Sequence, residues 1–479
     1  MNGFQQHWHS AHRRPLSRRD LLLQSGVGFG SLALAGLFSQ HAASTEPADV
    51  RTGPLAVRPP HYTAKAKRII FLFMHGGPSQ VDTFDYKPQL EKDDGKPVPF
   101  DKPRVVSGET GNLLKSPWQF RPYGESGYYV SDLFPEVAKH VDDICFINSV
   151  HGSNSRHGAA LLELSTGSDT FIRPSIGSWL TYGLGTENQD LPGFITICPS
   201  LSHGGANNWG SAFLPAAYQG TRIGYAGLES EKANIPFISR RSTEDIQRRE
   251  LDLLKQFNQQ RMMETGPDQE MESRIESFEL AFRMQNEAPQ IQDITDESAE
   301  TLNMYGVNNP ETKNFAIQCL MARRYAESGV RFVQISHSYK WDQHGDLQKG
   351  HAQNAKEVDQ PIAALLTDLG RRGLLDDTIV WWGGEFGRTP VSQGGRDGRD
   401  HNPHAMTQWF CGGGFKPGIK YGESDEYGYY AIKDKVHFHD LHATILHLMG
   451  LDHTRLTYRY AGRDFRLTDV QGEIIKGIL

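Results

Sequence analysis

Histidines and carboxylates gather at four places along the chain, each just past a short apolar run. Ile69–Met74 runs into His75-Gly76-Gly77, and Ile144–Ile147 into His151-Gly152-Ser153-Asn154-Ser155-Arg156-His157-Gly158. Val330–Ile335 runs into a segment holding His337, Asp342, His344, Asp346 and His351. Ile379–Trp382 runs into Gly384-Glu385-Phe386-Gly387-Arg388, and a glycine-rich loop then carries Arg399-Asp400-His401-Asn402-Pro403-His404. Imidazole and carboxylate on one loop, two residues apart as in Asp342 and His344, can share a metal ion. An acid at a strand end followed by two histidines and an aspartate is what a metal site needs there. His75 stands where an α/β enzyme places a first functional group, although a hydrogen-bonded turn histidine has the same pattern. The hydroxyl-rich turn around Ser153 and Ser155 feeds a helix N-terminus, which suits an anion or a nucleophile. Helix capping by either serine explains the same residues equally well.

Such residues need a scaffold that brings several strand ends together. The apolar runs at 69–74, 144–147, 194–198, 330–335, 379–382 and 407–411 have the length of strands buried on both faces. They alternate with helical segments, and no repeat is evident, which predicts one doubly wound α/β domain with a mostly parallel sheet and helices on both faces. Ligands of such sheets bind beyond the carboxyl ends of the strands. Asp132–Lys139, Ala159–Leu164 and Pro174–Leu184 are expected as short helices. A longer one runs from about Gln353 to Arg372, with Val358, Ile362, Leu365, Leu366 and Leu369 on one face. Two amphipathic helices between 243 and 287 are expected to cover the sheet through Leu251, Leu254, Phe257, Ile275, Phe278 and Phe282. Long insertions fall at about 86–127 and 230–310. The Gly/Asn-rich stretch Ser200–Gln219, with His203, is a candidate substrate-side wall. His442 and His447 are expected on or near a helix surface as structural residues.

Composition bounds the function. The 479 residues carry 50 basic and 57 acidic side chains, net −7, which argues against nucleic acid as a partner. Four widely spaced cysteines with no CxxC pair point to buried free thiols. At the N-terminus, Ser17-Arg18-Arg19-Asp20-Leu21-Leu22 precedes a Gly/Ala-rich apolar run to Phe38. This resembles a twin-arginine export signal, with a membrane anchor as the competing reading. The expected organisation is a signal segment at 1–44, a Pro-rich linker at 45–66 and one domain at 67–479. The expected location is the periplasm or cell surface. The membrane enters only through an uncleaved N-terminal segment.

The motifs GGPSQVDTFD from Gly76, WDQHGD from Trp341, GEFGRTP from Gly384, GRDHNPHAM from Gly398 and TYRYAGRDFRLTDVQGE from Thr457 together resemble the domain-of-unknown-function 1501 family. That family is grouped with the alkaline-phosphatase and sulfatase-like superfamily. The resemblance implies an α/β hydrolase of phosphate or sulfate esters with metal-bound acids and histidines at strand ends. It implies Asp342, His344, Glu385 and His401 as ligands of one divalent ion, with His404 competing for the place of His401. Zinc suits this mixed N/O set first, and manganese or calcium also fit. Ser153, Ser155 and His157 compete for the nucleophile position, His75 or His157 serves as acid or base, and Arg388 faces developing negative charge or pairs with Glu385. Where the superfamily has a first-strand aspartate this chain has His75, and Phe386 replaces a histidine, so one ion is expected rather than two. The substrate is then a small-molecule or glycan anionic ester, and the export machinery is a partner. The rival expectation is a catalytically silent exported protein that binds an anionic glycan or surface partner on the same fold.

Overall fold

Seven consecutive buried residues, Arg68–Met74, form the strand at the middle of the molecule (β1). A strand with no exposed face needs cover on both sides. The computed structural model describes residues 53–100, 108–266, 268–393 and 397–479. Its central sheet has nine strands. After β1 come β2 (Ile144–His151), β3 (Phe194–Ile197), β4 (Thr221–Ile223), β5 (Phe332–His337), β6 (Thr378–Gly383), β7 (Met406–Cys411), β8 (Ile419–Tyr421) and β9 (Val436–His437). The order is β8-β2-β7-β6-β1-β5-β3-β4, with β9 also pairing with β2. All neighbours run parallel except β7, which is antiparallel to both β2 and β6. The expected mostly parallel α/β architecture is therefore observed.

The register carries the site. Met74 lies beside His337, and Phe73 beside Gly383, so β1, β5 and β6 end level with one another. Their next residues, His75, Ser338 and Gly384, start the loops that hold the functional side chains. The principal helices are α1 (His157–Thr166), α2 (Ile176–Leu184), α3 (Glu244–Thr265), α4 (Gln269–Gln292), α5 (Lys313–Glu327), α6 (Leu347–Arg371) and α7 (Phe438–Leu448). α6 buries Val358, Ile362, Leu365, Leu366 and Leu369, and continues through Pro361. All four cysteines are buried and free.

Several expectations are corrected. α3 buries no residue, and Leu254 and Phe257 are exposed, so it does not cover the sheet. Only α4 packs inward, through Leu280, Met284, Ala288 and Ile291. Asp132–Lys139 is not an α-helix but turns ending in a short 3-10 segment at Val137–His140. His442 is fully buried rather than on the surface, its Nε2–H donating to the Leu164 carbonyl at 2.8 Å. Residues 53–66 run along the body, with Leu55 and Ala66 in the core. Among the described residues no helix is long and apolar enough to cross a membrane. The twin-arginine segment lies outside the described residues.

Candidate metal centre

Three loops converge on the carboxylate of Asp342, which follows β5. His344 Nε2 and His401 Nε2 each stand 3.0 Å from Asp342 Oδ1. Arg388 Nη2 is 2.7 Å from the same oxygen. On the other oxygen, the Tyr339 hydroxyl donates at 3.2 Å, and His157 Nε2 lies 3.3 Å away. Burial alone would raise the Asp342 pKa. His157, His344 and His401 outweigh it and hold the group far below the usual carboxylate range.

The far side of each ring fixes which nitrogen is a ligand. His401 Nδ1 is 2.7 Å from the Ser155 carbonyl oxygen, which only accepts, so Nδ1 carries the hydrogen. His344 Nδ1 is 2.5 Å from Gln393 Oε1, again an acceptor. Both rings therefore turn an Nε2 lone pair toward Asp342. Two lone pairs and a carboxylate oxygen at hydrogen-bond distance repel unless a proton or a cation lies between them. Anchored imidazoles of this kind are the usual way a protein orients metal ligands. Burial lowers the His401 pKa, whereas the contact with Asp342 raises that of His344. Asp400 stands next to the set: its Oδ1 is 3.9 Å from His344 Nδ1, and its Oδ2 is buried without a hydrogen-bond partner. The two histidines and the aspartate offer mixed N/O donors of the kind zinc accepts.

Glu385 anchors an adjoining group. Its carboxylate receives the Gly76 N–H at 3.0 and 3.2 Å and lies 2.7 Å from His157 Nδ1. His75 Nε2 is 3.9 Å from Glu385 and 3.4 Å from His203 Nδ1. Burial pushes the His75 pKa down to about 4. Burial would lower His157 too, but contacts with Asp342 and Glu385 raise it to about 9. His75, His157 and His203 can place their ligand nitrogens within 4.8 Å of one another, as can His157, Asp342 and His401, and His344, Asp400 and His401.

Local sequence explains this convergence. Gly76 has φ +117°, and a Cβ there would stand 2.6 Å from the Asp342 amide nitrogen. Gly77 (φ +81°) would place one 2.6 Å from the Phe386 ring. The glycine pair after β1 therefore allows the β5 and β6 loops to close over it. Arg388 is fully buried and ties the closed loops together. Its Nε–H donates to the Gly77 carbonyl at 2.9 Å, Nη1 to Arg399 at 3.1 Å and Nη2 to Trp341 at 3.1 Å, with a further bond to the Gly76 carbonyl. Behind it, Arg399 and Asp82 form a two-pronged ion pair at 2.6 and 3.0 Å, both side chains fully buried.

The candidates from sequence separate as follows. Asp342, His344 and His401 meet around one oxygen. Glu385 joins His75 and His157 instead, so the four expected ligands divide between two adjoining groups. His404 is exposed, its ring against Tyr430. Arg388 does not face solvent or pair with Glu385: it is buried, pairs with Asp342 and acts by positioning that residue. Neither Ser153 nor Ser155 caps α1, whose N-terminus has no side-chain cap. The Ser153 hydroxyl is 3.2 Å from His437 Nε2, and Ser155 presents its carbonyl to His401. His337 and His351 are buried structural groups, bonded to Glu357 and to the Ser79 amide. Three site residues had weaker sequence signals. His203 sits past the end of β3, as His75 does past β1, and that placement was its only signal. Tyr339, at φ +48°, and Gln393 had none.

Residues 66–479 match the family model described as Protein of unknown function (DUF1501). No curated protein matches the chain. Among solved structures, the lipoteichoic acid synthase LtaP from Listeria monocytogenes is similar at 10% identity and TM-score 0.35, over 86% of this chain and 78% of that one. The PsFucS1 sulfatase from Pseudoalteromonas sp. is similar at 12% identity and TM-score 0.35, over 81% and 68%. A protein in the alkaline phosphatase superfamily from Vibrio parahaemolyticus gives 10% and 0.32, over 88% and 76%. With the family model matched over nearly all of the described residues, the chain belongs to the DUF1501 family.

Proposed function

We propose that this chain is an exported, metal-dependent hydrolase of phosphate or sulfate esters. The observation that carries the reading is the pair of anchored imidazoles, His344 and His401, aimed with Asp342 at one point. Those three residues hold the ion, with Asp400 beside them, and zinc is the first choice. A divalent ion bound there would polarise an ester oxygen and make water more acidic. Arg388 keeps Asp342 in place from its buried side. His157 is the proton donor. Glu385 lies against its Nδ1, while its Nε2 has no hydrogen-bond partner and lies beside Asp342. His75 and Glu385 hold His157 from the sheet side, and His203 and Tyr339 form the solvent-side rim. Export rests on the twin-arginine sequence, and an anionic ester of a small molecule or glycan is the substrate class.

A second reading has its own observation. The Ser153 hydroxyl turns to His437 and Ser155 meets His401 through its backbone carbonyl, which favours a silent binding protein on the same scaffold. Metal content and turnover separate the two. The purified full chain should carry about one equivalent of zinc or manganese, lose it on Asp342→Ala, and hydrolyse an aryl phosphate or aryl sulfate. Metal without turnover of either ester leaves the binder. No metal at all overturns both the centre and the hydrolase.

A further inference from the structure

α3 lies on α4 by a thin, mostly polar stripe. Gln247, Arg248, Leu251, Asn258 and Met262 are its half-buried positions, and Arg248 pairs with Glu279 at 2.6 Å. Its apolar face points elsewhere. Ile246, Leu253, Leu254 and Phe257 are 50, 51, 47 and 60% exposed. At ~100° per residue, that face is rotated by about 100° from the stripe on α4. Four large apolar side chains on one bare helical face is more than a monomer ordinarily leaves in water.

The polar residues along this face say what covers it. Glu250, Leu254, Phe257 and Arg261 stand at i, i+4, i+7 and i+11, one line down the helix. Glu250 and Arg261 are exposed, and neither side chain has an ion-pair or hydrogen-bond partner among the described residues. The line reads acid, apolar, apolar, base. Turned end over end about the point between Lys255 and Gln256, it matches itself. Glu250 falls opposite Arg261, Leu254 opposite Phe257, and each pair occurs twice. A parallel mate would instead stack Glu on Glu and Arg on Arg. Isologous self-pairing is what a two-fold dimer requires.

We propose that α3 is a dimerisation helix, packing antiparallel on the α3 of a second copy of this chain through Leu254 and Phe257, with Glu250–Arg261 ion pairs at both ends. The four layers span about 17 Å of helix. One helix on its mate buries less than the ~800 Å² per partner of a durable complex, so the dimer is weak and depends on concentration.

Sedimentation of the full chain across the micromolar to millimolar range tests this. The wild type should move toward dimer mass as concentration rises. Phe257→Asp should weaken association by roughly a hundredfold. Glu250→Arg and Arg261→Glu should each weaken it by about tenfold, because each turns two attractions into repulsions. The combined Glu250→Arg/Arg261→Glu variant should associate as the wild type does. All three substitutions sit on exposed positions, and unchanged thermal unfolding checks that the variants fold. A wild type that stays monomeric to millimolar concentration overturns the proposal, as does a dimer indifferent to the charge reversals or a double reversal no better than the singles.

Discussion

Breaking the Asp82–Arg399 pair should be among the costliest single changes in this protein. The pair joins the loop after β1 to the loop that carries His401, so two of the family's motifs meet in one contact. Both side chains are fully buried, with Nε–Oδ2 at 2.6 Å and Nη2–Oδ1 at 3.0 Å. The Ser79 hydroxyl adds a 2.5 Å bond to Oδ2, and Arg399 Nη1 donates to the Thr389 carbonyl at 3.3 Å. Asp82→Asn leaves a guanidinium in the interior with no carboxylate, and Arg399→Met leaves the converse. Removing one member of a buried pair costs about 3–5 kcal/mol. That is about a fifth or more of the ~5–15 kcal/mol that holds a typical domain together. The double variant leaves no lone charge and should cost far less than the sum, a coupling of about 2 kcal/mol or more. Urea unfolding of the four proteins measures it. Burial would raise the Asp82 pKa, but Arg399 and Ser79 hold it below its ordinary 3.8. The pair's stabilisation is thus present above about pH 4 and fades as pH falls below it, so the gap between wild type and Asp82→Asn should narrow there. If Arg399→Met alone costs less than about 1 kcal/mol, the pair does not hold the loop and the reasoning fails.

Two further outcomes follow from other groups. Gln393→Met removes the acceptor that holds the His344 ring, and should lower metal affinity by about 10–100-fold in a chelator competition while leaving the fold intact. An unchanged affinity would mean that the ring needs no anchor. His442 is buried and neutral, pushed down to about 3 by its burial and its histidine neighbours. Below its ordinary 6.5 the unfolded chain takes up a proton that the folded chain refuses, so stability falls as pH drops from about 6.5 toward 3. Between pH 7 and pH 5 this amounts to about 2 kcal/mol. His442→Asn, with an amide that can still donate to the Leu164 carbonyl, should flatten the urea-midpoint slope over that range by that amount.

The sheet was legible because strands buried on both faces read as uninterrupted apolar runs, and Ile69–Met74 and Ile379–Trp382 do so. Their loop residues were legible for the same reason: a polar cluster at a buried strand's end has one place to go. Partnership was not. Asp342, His344, Glu385 and His401 could be named as ligand types, but whether they share one point depends on how far three loops fold back. Glu385 is taken by Gly76 N–H and His157 before it can reach the others. Arg388 was misjudged because an arginine beside a site is usually wet, and four backbone carbonyls that bury it leave no mark on their own residues. α3 shows the same limit. Periodicity marks an apolar face, yet periodicity alone does not say that α3 leaves its face exposed while α4 packs inward.

Phe386 shows how the two groups of the site differ. It stands where the resemblance noted in the sequence would place a histidine, and its ring stacks on His401 at 4.3 Å and meets His157 at 4.9 Å. An apolar ring there cannot hold an ion, and it is itself buried against His401. It also fills the space over Gly77, where even a methyl group would collide. The two imidazoles it touches then have defined orientations without a ligand present: His401 is held by the Ser155 carbonyl, and His157 by Glu385. The nitrogen donors around Asp342 are thereby set before an ion arrives, whereas His75 and His203 meet each other at 3.4 Å with the buried His75 Nδ1 lacking a hydrogen-bond partner. Pre-set donors cost no ordering on binding, and unanchored ones do. That order suits the proposed single ion at Asp342, His344 and His401, with the Glu385 group left, in the same proposal, to proton transfer.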